Sequence, residues 1–212
     1  MSELPDLSEK GVDIEAIAER ALENERVLLQ LPEGISPHAK KTTIRNNSFK
    51  ALMLLAERHP EVLFPRWDYF VELLKSDNSF SQYPAVHIIA TLVEADEDDR
   101  FDAIFDTYYS LLDDESVMIA SHVAGVSGKI AQAKPKLQTR ITKRLLNIDA
   151  THFEPGRKDL IKSYAIESFD AYFEEAENKE EIVEFVRRQL DCTSSKARKS
   201  AKSFLRKWGN AE

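Results

Sequence analysis

The stretch Thr43–Pro60, TIRNNSFKALMLLAERHP, returns near the other end of the chain as Lys196–Trp208, KARKSAKSFLRKW. Each copy has an apolar residue followed by arginine (Ile44-Arg45, Ala197-Arg198) and then a small residue (Ser48, Ala201). Large apolar residues follow four and seven places later: Leu52 and Leu55 in one copy, Leu205 and Trp208 in the other. Offsets of −4, 0, +4 and +7 fall on one face of an α-helix. A chain that repeats one apolar helix face predicts units that cannot bury that face alone and must stack to do so.

With Ser48 as anchor, the matching small residues are Ala85, Ser121, Ala165 and Ala201, at intervals of 37, 36, 44 and 36 residues. The +4 position reads Leu52, Ile89, Gly125, Phe169, Leu205, and the −4 position reads Ile44, Ser81, Val117, Ile161, Ala197. A second helix is expected after each of the first four. Its apolar end recurs at Leu74, Leu112, Leu146 and Leu190, which lie 26, 27, 25 and 25 residues after their anchors. Ser36-Pro37, Pro65 and Pro135 are placed to begin helices, because proline is tolerated in a first turn. Pro155-Gly156 reads as a loop that absorbs the one long interval.

Paired helices at this spacing, with Ile44-Arg45…Ser48…Leu52 and Ala197-Arg198…Ala201…Leu205, resemble the HEAT repeats of the armadillo-type superhelix over about residues 37–208. The arginine slot is kept as Arg45 and Arg198, approximated by Lys162, and replaced by Gln82 and Met118. The resemblance implies an all-α, right-handed α-solenoid of about five helix pairs over residues 36–208. Residues 13–35 carry a short amphipathic pair (Ile14, Ile17, Ala18, Ala21, Leu22, then Val27, Leu28, Leu31), the cap that a stack needs. Residues 1–12 are expected to be a flexible N-terminus and residues 13–212 a single domain.

Composition narrows the function. A formal net charge of −8 opposes recruitment of polyanions. Six glycines and eight prolines leave little room for a turn-dense β fold. One cysteine, Cys192, cannot form an intrachain disulfide and fits a reducing, cytoplasmic setting. No basic region followed by an apolar run marks a signal peptide, and no apolar stretch is long enough for a membrane span.

The charges are sorted into blocks. Residues 94–115 carry ten acids against Arg100, and 129–146 carry six bases and no acid. Residues 170–184 carry seven acids against Lys179, and 187–207 carry eight bases against Asp191. Such alternation satisfies neighbouring layers of a stack, or offers basic surfaces to an anionic partner.

Catalytic motifs fail one by one. AGVSGKI (124–130) has two residues between its glycines and Ile130 after its lysine, so it is no phosphate-binding loop. Gly125 and Gly128 are expected instead to let two helices approach closely. The five histidines (His38, His59, His87, His122, His152) form no His-Glu pair, which excludes the HEAT-like di-iron deoxyhypusine hydroxylases. Cys192 has no partner cysteine and reads as a small hydrophobe. No cofactor, metal site or catalytic residue is expected.

In HEAT stacks the second helices line the concave surface. That resemblance, with the exposed Tyr and Arg favoured at interfaces, marks Arg66, Tyr69, Tyr109, Lys136, Arg140, Lys143 and Arg187 as candidate partner-binding residues. Phe101, Phe105 and Tyr108 share an apolar stripe and belong to the core, whereas Tyr69 and Tyr109 fall nearer the polar side. The expected function is a non-catalytic protein-interaction scaffold. The alternative is a nucleic-acid-binding protein akin to the DNA-alkylation-repeat glycosylases, with the acidic helix at 99–113 set against it. The expected partner is another protein, a second copy of the chain included, with nucleic acid second and no membrane.

Overall fold

A computed structural model describes residues 6–209, and every element among them is helical. The chain divides after Asp98 into two compact units, where the sequence suggested a single domain over 13–212.

The first unit opens with α1 (Ile14–Glu23) and α2 (Glu25–Gly34), at the positions expected for the cap. Asp13 and Asn24 start them by accepting bonds from the amides of Ala16 and Arg26, which satisfies donors that the helices themselves leave free. Ile17, Ala18 and Ala21 of α1 and Val27, Leu28 and Leu31 of α2 are buried. Leu22, read as part of that stripe, is exposed instead. Next come α3 (Thr42–Arg58), α4 (Pro60–Leu63), α5 (Trp67–Leu74) and α6 (Ser79–Leu92). α3 packs on α1, α2 and α6, and α5 packs on α6. The described part of the expected flexible N-terminus, residues 6–12, is tied down: Leu7 is buried, and Asn47 Nδ2 of α3 donates to the carbonyls of Leu7 and Glu9 (both 2.9 Å). Residues 1–5 lie outside the described residues.

The second unit holds α7 (Arg100–Ser110), α8 (Val117–Ala133), α9 (Gln138–Leu146), α10 (Pro155–Tyr172), α11 (Lys179–Arg188) and α12 (Ser195–Trp208). α8 packs on α10 and α10 on α12, forming one layer. The other layer places α9 beside α11, with ion pairs joining α7 to α9. Prolines mostly sit where a first turn accepts them: Pro60 opens α4, and Pro65 and Pro135 sit in 3-10 turns ahead of α5 and α9. Two expectations change here. Pro155 and Gly156, read as a loop, form the first turn of α10. Ser36-Pro37 lies in a turn five residues before α3, whose first residue is Thr42.

All five anchors, Ser48, Ala85, Ser121, Ala165 and Ala201, are buried. The glycines of the third copy receive the bulk of its neighbour. A Cβ on Gly125 would meet the Tyr164 ring at 3.1 Å, and one on Gly128 would stand 2.8 Å from the Ser168 carbonyl. Ser168 completes this close contact: its hydroxyl donates to the Ala124 carbonyl (2.5 Å) and accepts from the Gly128 amide (3.0 Å).

Candidate functional site

The slot three residues before each anchor explains why a long polar side chain recurs there. Arg45 Nη2 donates to the Ala39 carbonyl (2.6 Å), and Arg198 Nη1 donates to the Cys192 (2.6 Å) and Thr193 (2.9 Å) carbonyls. Gln82 Nε2 reaches the carbonyl of Leu74, the last residue of α5 (3.2 Å). The nearly buried Lys162 ammonium pairs with Asp149 at 2.5 Å. In four copies the slot side chain therefore reaches back toward the chain before its own helix, three of them to carbonyls that lack helical partners and Lys162 to a carboxylate. Met118, at the slot of the third copy, is 38% exposed. These residues tie each helix to the chain that precedes it.

The candidate binding residues divide between the units. In the first, Arg66 donates to the Val62 carbonyl of its own turn (3.1 Å), and Tyr69 donates its hydroxyl to the Pro32 carbonyl (2.8 Å). Burial, and secondarily the Glu33 carboxylate, raise the Tyr69 phenol above its ordinary pKa. Both side chains are half-buried and committed to internal bonds.

In the second unit, Tyr109 is only 2% exposed, so it is not a surface residue. Its ring packs on Phe105 (centroids 4.6 Å apart) and Tyr108 (5.5 Å), and burial pushes its phenol well above the usual range. The correction was available from spacing: 101, 105, 108 and 109 are offsets 0, +4, +7 and +8, one continuous helix face.

The basic residues of α9 and its leading turn meet the acids of α7. Lys136 pairs with Asp99 (2.5 Å) and Asp102 (3.2 Å), and Lys134 pairs with Asp99 (2.9 Å). Arg144 pairs with Asp106 at 2.5 Å; Arg140 lies 3.8 Å from the same carboxylate and stacks 3.9 Å over the Phe105 ring. The hydrogen bonds from Lys136 and Lys134 hold the Asp99 carboxyl below its ordinary range. Asp99 sits at φ 56°, a left-handed conformation in which aspartate is among the more tolerant residues. Two adjacent charge blocks thus satisfy each other.

No family model matches the chain, and no curated protein matches it. It is similar to the crystal structure of an engineered protein from the Northeast Structural Genomics Consortium, with a TM-score of 0.50 and 17% identity over 96% of each chain. At that identity the likeness concerns the fold alone.

Lys143 on α9 and Arg187 on α11 remain exposed on two helices that pack together, and neither forms an ion pair among the described residues. Sequence reasoning missed a half-buried cluster in the first unit, where Phe49, Tyr83 and His87 lie with ring centroids 4.8–5.9 Å apart. Its signal was faint, because Phe49 and His87 stand one and two residues after their anchors, off the apolar stripe. Among the described residues no group of three His, Cys, Asp or Glu could hold a metal ion, and no helix is long and apolar enough to cross a membrane.

Proposed function

We propose that the chain is a HEAT-like α-solenoid acting as a non-catalytic protein-interaction scaffold, with the second helices of its repeats as the binding surface. The observation that carries this reading is the slot geometry: four copies use the same position to reach back into the preceding connection. That shared use belongs to a repeat, and stacked repeats offer extended surfaces rather than a single reactive cleft. Within the second unit, Lys143 and Arg187 are the candidate contacts left unpaired on this surface, with the Arg140 guanidinium on Phe105 beside them. A cytoplasmic setting belongs to the same proposal. The α7 acids that neutralise α9 weigh against nucleic acid.

The test is affinity capture with the whole chain after nuclease treatment, run in parallel with K143E/R187E. A defined protein retained by the wild type and lost by the variant supports the reading. Capture of nucleic acid that disappears steeply with salt overturns it.

A further inference from the structure

In the first unit, the anchor helices α3 and α6 meet along a seam of rings that reaches solvent. The Arg45 guanidinium of α3 stands 4.8 Å from the centre of the Phe80 ring of α6. One turn further along α3, the Phe49 ring lies 5.2 Å from Tyr83 and 5.9 Å from His87. Arg45, Phe49 and Met53 are offsets 0, +4 and +8 on α3, so they follow one side of that helix. Phe80, Tyr83 and His87 are offsets 0, +3 and +7 and do the same on α6. The contacts between the helices put the two rows side by side on one surface. Phe80 is 60% exposed, more than any other large apolar residue among those described, and Phe49, Met53, Tyr83 and His87 are half-buried.

The charge along this seam has one sign. Between Glu33 and Glu57 the chain carries Lys40, Lys41, Arg45 and Lys50 and no acid, and from residue 78 to residue 93 it carries no Asp, Glu, Lys or Arg. Lys41 has Asp6 within electrostatic reach, whereas Lys50, next to Phe49, is exposed and forms no ion pair among the described residues. Solvent-reaching rings beside cations, with no acid between them, call for a ligand that brings apolar groups and a few negative charges. The net charge of −8 opposes a long polyanion or an anionic bilayer, so apolar contact has to supply most of the affinity.

We propose that the α3–α6 seam is a docking strip for an acidic peptide segment, rich in aromatic or leucine side chains, of another protein. The apolar side chains of the segment cover Phe80 and Phe49, and its carboxylates face Lys50 and Arg45. Two helices lying side by side receive the apolar face of an amphipathic helix, whose anchors recur at i, i+3 or i+4, and i+7. The row on α6 is about 10 Å long at 1.5 Å per residue, which matches two turns of such a helix. The strip lies on the first helices of two repeats, whereas the scaffold reading uses the second helices, so neither proposal rests on the other.

A library of random peptides displayed on phage and selected against the whole chain tests the strip. The expected outcome is enrichment of sequences that combine Asp or Glu with Phe, Trp or Leu. An enriched peptide, synthesised with a fluorescent label, should bind F80S and K50E at least about tenfold more weakly than the wild type, the loss that marks an interface anchor. It should bind K143E/R187E as it binds the wild type, which separates this strip from the surface of the scaffold reading. Both substituted side chains are exposed, and circular dichroism checks that the variants keep their helix content. If F80S unfolds, K50E decides alone: it should lose the acidic peptide and gain affinity for the same peptide with its acids replaced by lysine. No enrichment, enriched peptides without acids, or an affinity unchanged by F80S and K50E overturns the proposal. So does a loss of binding in K143E/R187E. Binding of an oligouridylate or of phosphatidylserine vesicles, abolished by F80S/K50E, in place of acidic peptides overturns it as well.

Discussion

The arginine slot shows how one side chain can do the same work in separate places. Arg45 and Arg198 lie six residues beyond the carbonyls of Ala39 and Cys192 that they bind, so the two bonds close equivalent loops. A charged donor satisfying carbonyls at a helix connection contributes roughly 1–3 kcal/mol. Arg198→Ala should therefore lower the urea midpoint with an unchanged m-value, whereas Met118→Ala, at the slot that makes no such bond, should shift it far less. Equal shifts would show that the slot matters for bulk rather than for its bonds. His122 gives a second prediction at this scale. Burial, and secondarily Lys196, depress its pKa, and Lys196 itself lies 3.1 Å from the centre of the Tyr164 ring beside it. The folded state thus holds this imidazole neutral where the unfolded chain would protonate it, so stability is lost as pH falls below about 6.5. Thermal melts should show a decline between pH 7 and 5 that His122→Gln flattens; an unchanged slope in the variant would assign the decline elsewhere. A separate loss belongs below about pH 4, where the lowered carboxyls of Glu15, Asp99 and Asp113 take up protons.

Helix packing separates the two glycines of α8. Alanine at either gains about 1 kcal/mol of helix propensity. At Gly128 the added carbon meets the Ser168 carbonyl at 2.8 Å, a backbone atom that cannot step aside without moving α10. Overpacking of that kind costs about 1–3 kcal/mol and also strains the Ser168 bridge, so Gly128→Ala should destabilise. At Gly125 the obstacle is the half-exposed Tyr164 ring at 3.1 Å, which can rotate, so Gly125→Ala should be neutral or stabilising. Chemical denaturation of the pair reads the difference, and a destabilised Gly125→Ala beside a neutral Gly128→Ala would reverse the packing account. Elements of this kind were legible before the structure: the anchors, the helix pairs and the close approach at the two glycines all follow from spacing. Tyr109, expected nearer the polar side, is buried because position 109 continues the Phe101–Phe105–Tyr108 face. Pro155-Gly156 was misread because proline marks a helix start as readily as a loop, and only the chain that follows decides which.

At the scale of the molecule, the charge blocks of neighbouring helices pair with one another in part. The acids of α7 meet the bases around α9, Asp149 meets Lys162, and Glu167 and Asp170 meet Lys196 and Lys207. Block alternation in the sequence predicted this mutual satisfaction as one of two outcomes. Choosing between them needed the positions of individual side chains, because a run of bases looks the same whether or not an acid faces it. The binding surface was less legible for the same reason: Arg66 and Tyr69 are occupied by backbone carbonyls that no spacing rule reveals. The division after Asp98 was not visible either, since the repeat interval of 36 residues runs through it unchanged. The division predicts that a fragment beginning at Asp99 folds alone. It contains the α8–α10–α12 layer, the α9–α11 contact and both sides of the α7–α9 ion pairs. It also contains Phe101, Tyr108, Ile119, Ile141, Phe169, Phe185 and Phe204, all buried. The fragment should show a helical circular-dichroism spectrum and a single cooperative urea transition, with an m-value scaled to the surface it buries. A broad, non-cooperative loss of signal would mean that this core depends on residues before Asp99, and that the two units fold as one.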